Sequence, residues 1–584
     1  MLRPRSFHHA PILMTLGLAL FGACSQASSS TNPVSGGPQG SATSSSVQGG
    51  QQSNFGGQNS EAGSSLGLGG TGVLGAGGSV SNAAGGPLTA TGGAAFGGSF
   101  NAIGGASVAQ GGAPEPLAPS RFNLTGFATV GPGTTGGGVL PENDPAYAKV
   151  TTPLELAQAV RSFNKTGAIK VIEIMNDLDL GWTELGAGVQ ALDSNPFTPA
   201  IATKLHPRLL TTGVSKLDIK YAGGGLTIFS ANGATLRHVT LNIKSTNNII
   251  VRNLRFDEMW EWDEESTGAY DKNDWDFINL GNGGAVSNVW IDHCTFTKSY
   301  DGIVDVKGGS SNITFSWNTY VGDDGATNPN SFVRQQLNAL EANSASYPMY
   351  NFLRTNGFSV EDLVTILQGQ DKAHLLGSNP LDPTNAVLSL TYHHQLALNL
   401  WDRNMPRLRA GNVHGYNLYA DDTGALAAKR LRDARVAAMS ASAQQTIANT
   451  YSFNPPLNGS ISTEGGAILV EKSVYRDCLW PLRNNQTDVN NPAYTGKILG
   501  LDVIYHMDNA DNTVTEVRGN STDANSPLGP FQAAVIPFSW NLQGNVLPYT
   551  YTADDPAELK AILEANAGAG ALKWERSNWL KTTY

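Results

Sequence analysis

The sequence predicts an all-β solenoid, and three observations carry that expectation. Beyond Asn123, short runs rich in β-branched and aromatic residues alternate, as in Val239, Leu241 and Ile243 or Ile313, Phe315 and Trp317, with Asn- and Gly-bearing turns between them. Little helical periodicity separates these runs. Three of them also open alike: Asn248-Ile249-Ile250-Val251, Asn288-Val289-Trp290-Ile291 and Asn312-Ile313-Thr314-Phe315. A recurring Asn ahead of a β run fits the rungs of a parallel β-helix, in which each coil buries an apolar face against the next.

Taken from the N-terminus, residues 1–23 read as an export signal. Arg3 and Arg5 form a positive start, Pro11 to Phe21 an apolar stretch too short to span a bilayer, and Gly22-Ala23 a small-residue site before Cys24. Phe21-Gly22-Ala23-Cys24 resembles a bacterial lipobox, with Phe21 where Leu is usual, so Cys24 is expected to carry a lipid; ordinary cleavage near the same point is the alternative. Residues 24–120 are Gly, Ser, Ala, Gln and Asn with scarce large apolar groups, too few to offset the entropy of ordering. They are expected to form a disordered tether with a span of roughly 50–60 Å. A catalytic domain is then expected over 121–584, secreted or held at the bacterial cell surface and monomeric.

A solenoid must close its open ends. Thr152-Pro153-Leu154-Glu155 has the grammar of a helix start, with an N-cap, a first-turn Pro and a Glu at the third position, suited to capping the first coil. Asp555-Pro556-Ala557-Glu558 repeats it near the C-terminus. Two helical insertions are expected, about 322–371, where Ser359 can cap a helix with Phe358 stapled onto Leu363, and about 424–448.

Composition excludes some partners. A net charge of -11 argues against nucleic acid, and an acidic chain that handled a polyanion would need a bridging cation. Three cysteines, at 24, 294 and 478, cannot build a disulfide framework, so Cys294 and Cys478 are expected as buried apolar groups.

Three constellations carry chemistry. In Asp274-Trp275-Asp276, residues two apart on a strand point to one face, so both carboxylates can converge on one hard cation. In Asp301-Gly302-Ile303-Val304-Asp305-Val306-Lys307, four residues of straight strand would separate the aspartates by about 13 Å, too far for one ion, and Gly302 permits the bend that is needed. Four carboxylates without His or Cys favour calcium over zinc. The third constellation is basic: Lys372, then Arg403, Arg407 and Arg409 around Pro406, followed by Gly411-Asn412-Val413-His414. Guanidinium forks match carboxylates in two-pronged pairs, which suits a polymer with one carboxylate per sugar.

The order and wording of these segments resemble the pectate lyase superfamily. Gly126-Phe127-Ala128-Thr129-Val130 with Gly133-Thr134-Thr135-Gly136-Gly137 resembles its opening segment, and Asn248 to Leu254 and Val289-Trp290-Ile291-Asp292-His293 resemble two of its strands. The resemblance runs from about Gly126 to at least Trp480, with the two helical insertions as gaps, and implies a right-handed parallel β-helix, calcium as cofactor and polygalacturonate as substrate. By position it makes Asp274, Asp276, Asp301 and Asp305 the calcium ligands, Lys372, Arg409 and Lys307 substrate-binding residues, and Arg403 the catalytic arginine. In one respect the chain departs from the pattern. Asn404 and Met405 both stand between Arg403 and Pro406, where relatives have one residue, so counting back from the proline puts Asn404 in the catalytic place. A one-residue bulge would keep Arg403 there. Asp292 and His293 are expected as a buried, hydrogen-bonded pair, and Trp260, Trp262 and Trp275 either stack on sugars or pack.

The implied reaction is β-elimination, in which a base removes the C5 proton of a galacturonate and the C4–oxygen bond breaks to leave an unsaturated end. A calcium-independent pectin lyase, a glycoside hydrolase using paired carboxylates and a surface lipoprotein that binds polyuronate without cleaving it are the competing readings.

Overall fold

The computed structural model describes residues 117–584, apart from 201–211, 263, 265–274, 404 and 452–453. The proposed signal, Cys24, most of the tether, Asp274 and Asn404 therefore lie outside the described residues. Within them, parallel strands stack coil on coil. The three runs that open alike sit directly over one another, with Ile249 on Val289, Val289 on Ile313, Ile313 on Leu390, and the column continuing through Val413, Ile468 and Ile498.

The recurring Asn has a backbone reason. Asn248, Asn288 and Asn312 each take a left-handed conformation (φ 55°, 53° and 56°), which Asn tolerates better than other side-chain-bearing residues. A second left-handed corner closes the same strands, and its residues form another column: Asn253, His293, Trp317, His394 and Asn417. The rings in it stack, Trp317 on His394 at 4.0 Å between centroids and His293 on Trp317 at 6.0 Å. Inside the coil Phe256, Phe296 and Tyr320 stack at 5.0 and 5.4 Å. Trp260, Trp262 and Trp275 are buried in the same core, which removes them as sugar platforms. Cys294 and Cys478 are buried and unbridged.

The first coil is covered by the helix Pro153–Thr166, whose Thr152 and Glu155 complete the capping box and whose Leu156, Val160 and Phe163 face the core. At the other end the strand Val514–Gly519 turns back antiparallel to Val503–Asp508 and breaks the parallel ladder. The C-terminal helix begins later than its sequence grammar suggests, at Leu559, because Pro556 sits in a turn where Asp555 accepts from the Ala557 amide (3.0 Å). It lies on the flank of the coil, with Leu559 and Leu563 against Leu396 and Tyr419, and covers no open end. Helices Phe332–Ala342, Pro348–Thr355 and Val360–Leu367 form the first insertion, and Thr423–Ala437 and Ala441–Asn449 the second. Arg435 joins the two through both oxygens of Asp362 (2.9 and 3.0 Å).

Asp292 and His293 are fully buried structural groups, as expected. Asp292 lies 2.6 Å from the Arg252 Nε and 2.7 Å from His293 Nδ1, and accepts from Ser316 Oγ at 2.6 Å. Arg252 in turn donates to the carbonyls of Trp579 and Lys581, so the C-terminal segment is tied to the coil through this pair. Burial alone would raise the Asp292 pKa; the charges of His293 and Arg252 outweigh it and hold the group at about 2, down from 3.8. Burial lowers the pKa of His293 itself, so Arg252 is the lasting counter-charge near neutral pH. A depressed carboxyl pKa contributes stability that is complete above the unfolded value and is lost as pH falls through the folded one. Asp292→Asn is therefore expected to cost about 3 kcal/mol at neutral pH, by orphaning a buried guanidinium. Denaturant unfolding should show that penalty shrinking as pH falls from about 4 to about 2; the same penalty at both ends would refute the role given to the pair.

Candidate active site

The strand Val304–Val306 alternates Val, Asp, Val, so its valines enter the core and Asp305 faces out. Parallel register then builds a mostly polar row on that outer face: Asp218, Asn242, Asn279, Asp305, Leu375, Arg407, Ile461 and Arg483 lie one over the next, with Leu375 and Ile461 its two apolar members. Asp305 and Arg407 are two ladder steps apart, roughly 10 Å.

The acidic part of the row is completed from the preceding turn. The chain bends at Asp301 to Ile303 and becomes strand only at Val304, as the spacing of Asp301 and Asp305 requires. Gly302 is needed there. A Cβ on it would stand 2.7 Å from Asp276 Oδ1 and 3.7 Å from Asp305 Oδ1, so two carboxylates from successive coils converge on the space a side chain would fill. Gln370 fixes this turn, donating to Ser299 Oγ (3.0 Å) and to the Asp301 carbonyl (2.8 Å). Among the described residues no three Asp, Glu, His or Cys side chains form a metal-holding group. Asp301 is drawn instead to Lys372, with Nζ–Oδ1 of 2.7 Å, and Lys307 contacts Asp305 at 2.6 Å.

The basic part comes from the next two strands. Gln370–Lys372 pairs in parallel with Leu400–Asp402, and Lys372 stands opposite Asp402. Arg403 follows in a left-handed conformation (φ 58°), its carbonyl accepting from the His374 amide at 3.3 Å. The backbone thus turns sharply after Asp402, and Met405 is buried in the core before the chain resumes as strand at Arg407. The Arg403 Nε lies 3.4 Å from Asp402 Oδ2. Arg407 is buried, with Nη2 donating to Thr487 Oγ1 at 2.7 Å. Arg409 reaches the Ser378 carbonyl and lies 4.0 Å from Glu464, passing where a side chain on Gly377 would collide with its Cβ. The three arginines feel one another. Burial, then the positive charges of Arg403 and Arg409, push the Arg407 pKa far below its ordinary value, and burial and Arg403 lower that of Arg409 against the pull of Glu464 and Asp305.

Asp276, Asp301, Asp305, Lys307, Lys372, Arg403 and Arg409 thus gather on one outer face, leaving Asp274 and Asn404 outside the described residues. Sequence reasoning missed Gln370, Asp402, Gln486 and Thr487. Gln486 and Thr487 reach Asp402 and Arg407 from a loop after the strand Trp480–Arg483, and nothing in Asn484-Asn485-Gln486-Thr487 marks it. Asp402 had a legible signal, being an acid beside an arginine at a strand end.

Comparison with known proteins agrees with this architecture. A family model described as pectate lyase matches residues 213–327, which include Asp276, Asp301, Asp305 and Lys307. Pectate lyase B of Paenibacillus amylolyticus is 48% identical over 363 residues, 62% of this chain and 87% of that one. A pectate trisaccharide-lyase of Thermotoga maritima is 28% identical over 255 residues, 43% of this chain and 50% of the relative. The solved structure of a pectate lyase from Paenibacillus sp. 0602 superposes with a TM-score of 0.73 at 48% identity, covering 80% of this chain and all of that one. With the stacked coils and the outward polar row already in place, an identity of this extent means that the chain belongs to the pectate lyase family.

Proposed function

We propose that the chain cleaves polygalacturonate by calcium-assisted β-elimination to give 4,5-unsaturated oligogalacturonates. The observation that carries this reading is the meeting, on one outer face of the coil, of converging carboxylates at Gly302 with Lys372, Arg403 and Arg409. The donor set fits calcium: all the candidate ligands are carboxylate oxygens, two of them already aimed at one point. Asp276, Asp301 and Asp305, with Asp274, would hold the ion, and when bound it would neutralise the substrate carboxylate and so acidify the neighbouring C5 proton.

The chain's own residues supply the rest. Lys372, Lys307 and Arg409 bind sugar carboxylates, orienting the chain along the polar row. Arg403 stands at the reacting unit. There a base takes the C5 proton, the C4–C5 double bond forms, and the C4–oxygen bond breaks toward the leaving sugar, whose oxygen then takes a proton. Guanidinium is a poor base at neutral pH, which supports an alkaline optimum. Residues 1–23 are proposed to be the export signal, Cys24 the lipid-bearing residue, and the following Gly/Ser-rich segment the tether of a cell-surface enzyme. Among the described residues no helix is long and apolar enough to cross a membrane.

Polygalacturonate with calcium should yield product absorbing in the ultraviolet band of unsaturated uronates. That signal should vanish in a chelator and return with added calcium; reducing ends without the absorbance would indicate hydrolysis, and activity persisting in chelator a pectin lyase. Gly302→Ala places a methyl against Asp276 and is expected to raise the calcium concentration for half-maximal rate by about tenfold, with the rate at saturating calcium largely kept. An unchanged calcium requirement would remove Asp276 and Asp305 as ligands. Cys24→Ser expressed in a bacterial host should shift the protein from the membrane pellet to the soluble fraction, whereas an unchanged distribution would exclude the lipid anchor.

A further inference from the structure

We propose that Asp402 is a positioning residue for Arg403, holding its guanidinium in the cleft despite the extra residue before Pro406. The inference rests on the assignment of Arg403 to the elimination and goes beyond it by naming what aims that side chain.

The carboxylate of Asp402 is unusually well fixed. The residue is 6% exposed, and its backbone is bound to the neighbouring strand, the carbonyl accepting from the Ala373 amide at 3.1 Å. Asn458 Nδ2 donates to Oδ1 at 2.7 Å, and Gln486 Nε2 reaches Oδ1 and Oδ2 at 3.2 and 3.1 Å. The Asn458 amide is itself oriented, because Arg483 Nη1 donates to its Oδ1 at 2.7 Å. A buried chain therefore runs from Arg483 through Asn458 to Asp402. It ends 3.4 Å from the Arg403 Nε, a distance for charge attraction rather than a hydrogen bond.

Arg403 needs such a partner for two reasons. Its backbone is left-handed, a conformation that a non-glycine residue keeps where its surroundings over-determine it. Its neighbours Arg407 and Arg409 are also cations, and like charges would drive a long side chain away from them. An anion held in place by two amides offsets that repulsion and gives the guanidinium one direction. The extra residue between Arg403 and Pro406 lengthens the chain after Arg403, whereas Asp402 stands before it, so the anchor is indifferent to the insertion.

A double-mutant cycle tests this. Asp402→Asn keeps the size and removes the charge. It is expected to lower kcat about 10- to 100-fold with KM within about twofold, since a misaimed group loses rate more than binding. In an Arg403→Ala background, with residual rates read from product accumulated over hours in saturating calcium, Asp402→Asn should cost nothing further. The same factor lost in both backgrounds, or a loss confined to KM or to the thermal midpoint, would overturn the inference. Arg403→Ala as active as the parent would instead overturn the assignment of Arg403 on which it rests. Should Asp402→Asn fold poorly, the same cycle run with Gln486→Ala carries the test, with a smaller loss in kcat that again disappears when Arg403 is absent.

Discussion

Register between successive parallel strands is the constraint on which the rest of this molecule depends. A parallel ladder sets each residue directly over its counterpart one coil earlier, about 4.8 Å away. A residue type is therefore acceptable only if it tolerates its own column. Inside, Ile249, Val289, Ile313, Leu390, Val413, Ile468 and Ile498 meet that condition by repeating β-branched and aliphatic shapes. At the corners, the left-handed backbone selects Asn, and ring stacking admits His293, Trp317 and His394. On the outer face of the ladder that contains Val304–Val306 and Arg407–Arg409 the column is mostly polar, interrupted by Leu375 and Ile461, and that is where the chemistry collects.

That outer column changes sign along its length. Asp218 and Asp305 lie at one end, Arg407 and Arg483 toward the other, with asparagines between Asp218 and Asp305. Asp305 and Arg407 are far apart in sequence and two steps apart in space because both occupy the same place in their coils. The helical insertions do not disturb this, since each leaves the coil and rejoins it in register: His374–Leu376 pairs with Val304–Val306 across the first, and Asn458–Thr463 with Arg407–Arg409 across the second. Long excursions between fixed rungs are inexpensive in entropy, because closure cost grows only slowly with loop length.

The parts legible in the sequence are those governed by local rules. The Asn-led runs, the Thr152–Glu155 capping box and the Ser359 cap each depend on a few adjacent residues, and the structure shows them in the expected form. Asp555-Pro556 carried the same local grammar, but the helix starts at Leu559, where Leu559 and Leu563 find the apolar flank of the coil, so tertiary packing set the boundary. The bend at Gly302 could be deduced from distance alone. Gln486 and Thr487 could not be joined to Asp402 and Arg407 in this way, because the link between the strands Leu400–Asp402 and Arg407–Arg409 and the loop after Arg483 exists only once the coils are stacked. Local pattern names the residue types, and register decides which of them meet.

The arginine group shows why aim matters more than number. Burial and mutual repulsion already act on Arg407 and Arg409, lowering both from their ordinary values, so much of the dehydration of these cations precedes the arrival of a substrate. Any polyuronate carboxylate relieves that repulsion, but it does so in the bound substrate and in the transition state alike, and such uniform binding does not speed the chemical step. In the elimination proposed here, what grows along the reaction is the charge leaving C5 and spreading into the adjoining carboxylate. Only a cation fixed where that charge grows gains in attraction as the bond breaks. Arg407, held by Thr487, and Arg409, held by Ser378, have settled directions on their own strand. Arg403 lies beyond the end of its strand, on a left-handed residue followed by an insertion, so its direction must be supplied by a neighbour, and the fixed carboxylate of Asp402 is placed to supply it.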